Sequence, residues 1–134
     1  MKLEANWKFK SLDSLEKTSW GEPTYTSHLV KTVHRLRKVP LNEYNTEDLR
    51  IMVGQHIGLD FLIPLAIERL SEDLFAEGDL YEGDLLRAVL NVKSEFWELN
   101  PSLWNQVNQL INNRLNELDD ESIKYSDFLS LELD

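Results

Sequence analysis

The sequence has no cysteine, which excludes a disulfide framework, a thiolate nucleophile and any Cys-ligated zinc site. That composition suits a reducing compartment. Five Gly and four Pro among 134 residues are few, and no stretch is dominated by one residue type, so long low-complexity arms are not expected. Long apolar runs are also missing. The longest, Phe61 to Ile67, covers about a third of the ~20 residues needed to cross a bilayer and carries Pro64. Met1 to Lys10 contains no apolar h-region, so no secretory signal is expected and the chain is expected to stay in the cytoplasm. Histidine is scarce: His28, His34 and His56 include no HExxH pair, and His28 and His34 diverge on a helix. There is no GxSxG, no Gly-rich phosphate loop with Lys and no GxGxxG after a strand. Neither an enzyme nor a cofactor or metal site is expected.

What is present is a core and an acidic surface. With 42% hydrophobic and 10% aromatic residues, the chain suffices for one packed domain, taken as residues 1–134. Lys plus Arg number 14 against 24 Asp plus Glu, a net charge of −10, which argues against direct nucleic-acid binding. The imbalance is uneven. Residues 1–40 hold eight basic and four acidic side chains (+4), whereas residues 41–134 hold six basic and twenty acidic (−14). Such a surface either solvates helices or meets a cationic partner.

Hydrophobic spacing predicts the elements. Leu3, Ala5, Trp7 and Phe9 alternate with polar residues over Lys2 to Lys10, which predicts a short extended segment. Ser11 to Lys17 predicts a short helix capped by Ser11 or Asp13, closed by Gly21 and Pro23. Tyr25 to Val39 is amphipathic, with the stripe Leu29, Val33 and Leu36, and Pro40 stops it. Asn45 or Thr46 caps a helix running to about Val53, and Gly54 and Gly58 bracket a turn. Leu59 to Asp73 is apolar on most sides and predicts a buried helix in which Pro64 is either in the first turn or at a kink. The triplet Glu-Gly-Asp occurs at residues 77–79 and again at 82–84, predicting a turn before a helix through Leu85, Leu86, Val89 and Leu90. Pro101 suits the first position of a helix taken as Leu103 to Leu118, with Val107, Leu110 and Ile111 on its stripe, and a short helix is predicted near Phe128. The class is all-α: a single-domain bundle of about six helices with a short extended N-terminal segment.

Glu77, Asp79, Glu82 and Asp84 have three readings: turn and cap roles, protein recognition, and metal binding or acid–base chemistry. The EF-hand ligand order is absent. Tyr81, between the triplets, is an aromatic that could anchor a partner, and together these five residues are the candidate contact set. His34, Arg35, Arg37 and Lys38 form the only basic cluster, for which pairing with the acidic part of the chain is the favoured reading. Trp7, Trp20, Trp97 and Trp104 are core candidates, although Trp7 and Trp20 lie in less regular segments and could anchor an interface.

The stretch VHRLRKVPLNEYNTEDLRIMVGQHIGLDFLIPLAIERL at 33–70, with FAEGDLYEGDLLRAVL at 75–90 and SLEKTSW at 14–20, resembles the immunity proteins of contact-dependent growth inhibition (CDI) systems. The resemblance implies a cytoplasmic protein that binds the C-terminal toxin domain of a CDI effector, often a nuclease, and covers or distorts its active site. It implies no particular contact residues. The toxin is then the expected partner, with neither nucleic acid nor membrane bound directly, and the free chain is expected to be a monomer or weak dimer. The alternative is an acidic helical adaptor or regulatory domain unrelated to a toxin.

Overall fold

The computed structural model describes residues 3–23 and 27–133, and no strand occurs among them. It is all-α. The helices are α1 (Leu12–Glu16), α2 (His28–Leu36), α3 (Thr46–Gly54), α4 (Leu59–Glu72), α5 (Asp84–Leu90), α6 (Ser94–Leu99), α7 (Pro101–Ile111), α8 (Leu115–Asp120) and α9 (Ser126–Leu129). Short 3-10 turns occupy Trp7–Phe9 and Leu41–Glu43.

Several helices start where a side chain satisfies the first free amides. Ser11 accepts from Ser14 N, and Ser27 accepts from Val30 N. Asn45 and Asp48 cap reciprocally, Asp48 N donating to Asn45 Oδ1 at 2.8 Å and Asn45 N to Asp48 Oδ2 at 3.0 Å. Gly58 begins α4 in the left-handed region at φ 65°, and a Cβ there would sit 2.7 Å from Leu12 Cδ1. Only glycine lets α1 lie this close to the start of α4. Pro101 opens α7 at its first position.

Helix α4 is the hub of the core. It buries Leu59, Phe61, Leu62, Ile63, Leu65, Ala66, Ile67 and Leu70, and it packs against α3, α5 and α7. Eight apolar side chains on 14 residues leave only a narrow solvent-facing strip. Pro64 lies in the helix interior beyond the first turn, so the carbonyl of Asp60 has no helical amide to accept from. A second cluster joins Trp97, Trp104 and Phe128: the Trp104 indole donates to Phe128 O at 3.0 Å and stacks on its ring. This contact holds α9 against α6 and α7.

Four expectations change. The N-terminal segment is not extended: Trp7 N bonds Glu4 O and Phe9 N bonds Asn6 O, which closes a 3-10 turn. Without a neighbouring strand, the backbone satisfies its own donors locally. Trp7 is buried whereas Ala5 and Phe9 are exposed, so the alternation does not mark one face. Nine helices replace about six among the described residues, because several are a single turn or two. The helix placed at Leu103 to Leu118 breaks at Asn112–Arg114, which re-aims the chain so that both Ile111 and Leu118 are fully buried. Leu110 and Leu29, both placed on stripes, are respectively partly buried and 42% exposed. The predicted start of α2 at Tyr25 falls outside the described residues.

Candidate functional site

The two Glu-Gly-Asp triplets form a loop between α4 and α5, with Asp84 at its centre. Asp84 is 2% exposed, and its carboxylate accepts from Gly78 N at 2.7 Å and from Leu80 N at 3.0 Å, with Tyr81 N farther at 3.4 Å. A single buried carboxylate therefore gathers the backbone of the loop into a cradle. A second carboxylate reaches in from α3. Glu47 Oε1 accepts from Asp79 N at 2.8 Å, and Arg50 clamps Glu47 in a bidentate pair, Nε donating to Oε1 at 2.6 Å and Nη2 to Oε2. Arg50 Nε also lies 3.7 Å from Asp84 Oδ2, so one cation serves both anions. The hydrogen-bonded guanidinium of Arg50 holds the Glu47 carboxyl below the usual carboxylate range and raises the pKa of Arg50 in turn.

Glycine is required twice. A Cβ on Gly78 would lie 2.6 Å from Glu47 Oε1 and 3.1 Å from Asp84 Oδ2, inside the cradle. Gly83 has φ 87°, and a Cβ there would meet Ile123 Cδ1 at 2.7 Å. From below, Arg87 places its guanidinium 5.3 Å from the Tyr81 ring and donates to Ser122 O at 2.7 Å, tying the loop to the segment after α8.

The loop turns a distinct set of side chains outward. Glu77, Asp79 and Glu82 are exposed, Leu80 is 61% exposed and Tyr81 38%. Asp84 faces inward, so its carboxylate holds the loop and is not offered to a partner. Of the five candidate residues, four share the outer surface and the fifth organises it. Leu80, Glu47, Arg50 and Arg87 did not stand out in the sequence. Leu80 was legible, sitting next to Tyr81 between the triplets, but the Glu47–Arg50 clamp lies more than 25 residues away and only folding brings it there. Among the described residues, no group of three or more His, Asp or Glu side chains is placed to hold a metal ion.

The basic cluster divides. Arg37 is 1% exposed and pairs with Asp13 Oδ1 at 2.8 Å and Glu16 Oε1 at 2.7 Å, while Arg35 is exposed and Lys38 donates to Gly21 O. The pairing is intramolecular, but its acids come from α1 and not from the acidic remainder of the chain. Trp7, Trp97 and Trp104 are buried, whereas Trp20 is 41% exposed.

The family of CDI immunity proteins matches residues 14–107, a span that runs from within α1 into α7 and takes in the loop and its Glu47–Arg50 clamp. The chain belongs to the family of CDI immunity proteins. No curated protein and no solved structure matches it. As an immunity protein it acts against a CDI toxin, so its functional surface is one that meets another protein. The loop at 77–82 exposes Leu80 and Tyr81 among the carboxylates of Glu77, Asp79 and Glu82, and its backbone is hydrogen-bonded to Asp84 and Glu47. No helix of the described residues is long and apolar enough to cross a membrane.

Proposed function

We propose that this immunity protein neutralises a nuclease toxin domain by seating the loop Glu77–Glu82 in the toxin's active-site cleft. A nuclease holds phosphates with Lys and Arg, so its cleft is positive whatever its fold. An acidic loop there attracts the enzyme and excludes its substrate. The observation that carries this reading is the loop itself: Leu80 and Tyr81 project between the exposed carboxylates of Glu77, Asp79 and Glu82, on a backbone tied down by Asp84 and Glu47. Aromatic and apolar anchors supply most of the affinity of an interface, and rim charges mainly raise the association rate. Because the loop is already ordered, binding spends little on fixing it. The protein works in the cytoplasm of the cell that makes it, by binding alone.

The test is the triple variant Glu77→Lys, Asp79→Lys and Glu82→Lys, with Asp84 retained because it supports the loop. Association with the purified toxin domain should slow by more than about tenfold at low salt, and the parent's rate should fall as salt rises. Circular dichroism should show a folded variant. Cells co-expressing the toxin should lose protection. A folded variant that binds and protects like the parent removes the loop from the interface, and a parent rate indifferent to salt removes charge as the means of attraction.

A further inference from the structure

Helix α2 reads His-Leu-Val-Lys-Thr-Val-His-Arg-Leu and contains no carboxylate, in a chain whose acids outnumber its cations 24 to 14. Next to it lies a groove of about 310 Å³, lined by Trp20, Leu29, Val33, His34 and Ile57 among others. His34 is shared with an adjoining hollow whose wall adds three cations, Lys31, Arg35 and Lys38, and one acid, Glu22. An apolar floor is thus continuous with a cationic rim. Trp20 and Leu29 remain 41% and 42% exposed, which leaves two large apolar side chains uncovered side by side. Trp20 is nevertheless held in place. His34 meets it edge to face at 5.3 Å, and the guanidinium of Arg37 lies 4.4 Å from its ring, itself fixed by Asp13 and Glu16. A positioned, half-exposed indole over a rigid ion pair has the form of an interface anchor.

We propose that this groove is a second toxin-binding surface, which takes an acidic segment of the toxin carrying a bulky apolar side chain. The proposal rests on the reading that the partner is a CDI toxin. The apolar side chain fills the space between Trp20, Leu29 and Ile57, and the flanking carboxylates meet Lys31, Arg35 and Lys38. Whole-molecule charge selects this occupant over the others. A second copy brings another net charge of −10 to the encounter, and a nucleic acid is anionic along its whole length, whereas a toxin with a basic cleft is drawn in and sets only a short acidic segment against the local cationic rim. The placement also suits one partner: the first turn of α3 supports the acidic loop through Glu47, and Gln55, just past the end of α3, lines the groove. The two supporting residues, Glu47 and Gln55, are eight positions and so about 12 Å apart along α3, a short step beside a standard interface of about 800 Å² per partner, roughly 30 Å across. The immunity protein therefore grips its toxin with opposite charges at the two ends of α3.

The experiment uses the full chain and the purified toxin domain, with Lys31→Glu/Arg35→Glu, Leu29→Ser and Trp20→Phe compared with the loop triple variant. Melting curves first establish that each is folded. Lys31→Glu/Arg35→Glu and Leu29→Ser should each weaken toxin binding by about tenfold or more, in addition to the effect of the loop variant. Trp20 is the exposed one of four tryptophans, so toxin binding to the parent should change tryptophan emission, and Trp20→Phe should remove that change. Groove variants that bind like the parent, while the loop variant does not, overturn the second surface and leave the function standing. A parent that binds no toxin overturns both. Self-association of the parent that Lys31→Glu/Arg35→Glu abolishes, with toxin binding unchanged, identifies a second copy as the occupant and overturns the proposal.

Discussion

Replacing Asp84 by Ala should loosen the loop without unfolding the protein. The carboxylate is 2% exposed and makes two good bonds to backbone amides, at 2.7 Å to Gly78 and 3.0 Å to Leu80. Hydrogen bonds to a charged group contribute about 1.5–3 kcal/mol each. The Leu80 amide belongs to an exposed residue and regains water when the acceptor is lost, whereas Gly78 is only partly exposed and its amide recovers less. Arg50 loses a nearby anion but keeps Glu47. The expected cost is therefore about 2–4 kcal/mol, within a total stability of roughly 5–15 kcal/mol, so most molecules stay folded. For a domain of this size that is a Tm decrease of about 8–16 °C. Urea denaturation gives the free energy, and amide exchange at Gly78 and Leu80 should accelerate by more than the global loss alone explains. Toxin association should weaken as well, although Asp84 is not offered to the toxin, because the side chains that are would lose their fixed backbone. A loss below about 0.5 kcal/mol, or unchanged exchange at the two amides, would refute the view that Asp84 organises the loop.

Three further outcomes are expected. Gly78→Ala should destabilise by about 1–3 kcal/mol in urea denaturation, because its Cβ would lie 2.6 Å from Glu47 Oε1 and push the clamp aside; a neutral effect would mean that Glu47 moves away freely. Glu47, held below its ordinary pKa by Arg50, contributes stability that is fully present above the unfolded value of 4.5 and is lost as pH falls through the lower folded value. The stability gap between parent and Glu47→Gln should therefore close between neutral pH and acid, and a gap independent of pH would show that the pair adds nothing. Ile111→Ala should cost about 2–5 kcal/mol because the side chain is fully buried, and Leu110→Ala distinctly less; equal losses by thermal denaturation would mean that the packing of α7 is different.

Much of this molecule follows from local rules that one sequence displays. Ser11 and Asn45 mark helix starts because a cap acts on amides two or three residues away, Pro101 does so because its fixed φ and missing N–H suit the first helical position, and the stripes in α4 and α7 repeat with the helix period. The paired Glu-Gly-Asp triplets announce a turn for the same reason. Family membership was legible too, because the ordered motifs of residues 14–90 lie within the matched span of 14–107. The roles inside the loop were not. Glu77, Asp79, Glu82 and Asp84 are equivalent as letters, and only the folded loop shows that Asp84 turns inward under three of its backbone amides while the other three face water. Trp7 and Phe9 likewise share a pattern, yet the core takes Trp7 alone. The break after Ile111, which lets Leu118 reach the core beyond it, has no Gly or Pro to announce it. Periodicity and capping act over a few residues and survive in the linear code; burial, ion pairing and exposure depend on which distant elements meet, and that is settled only when the core closes.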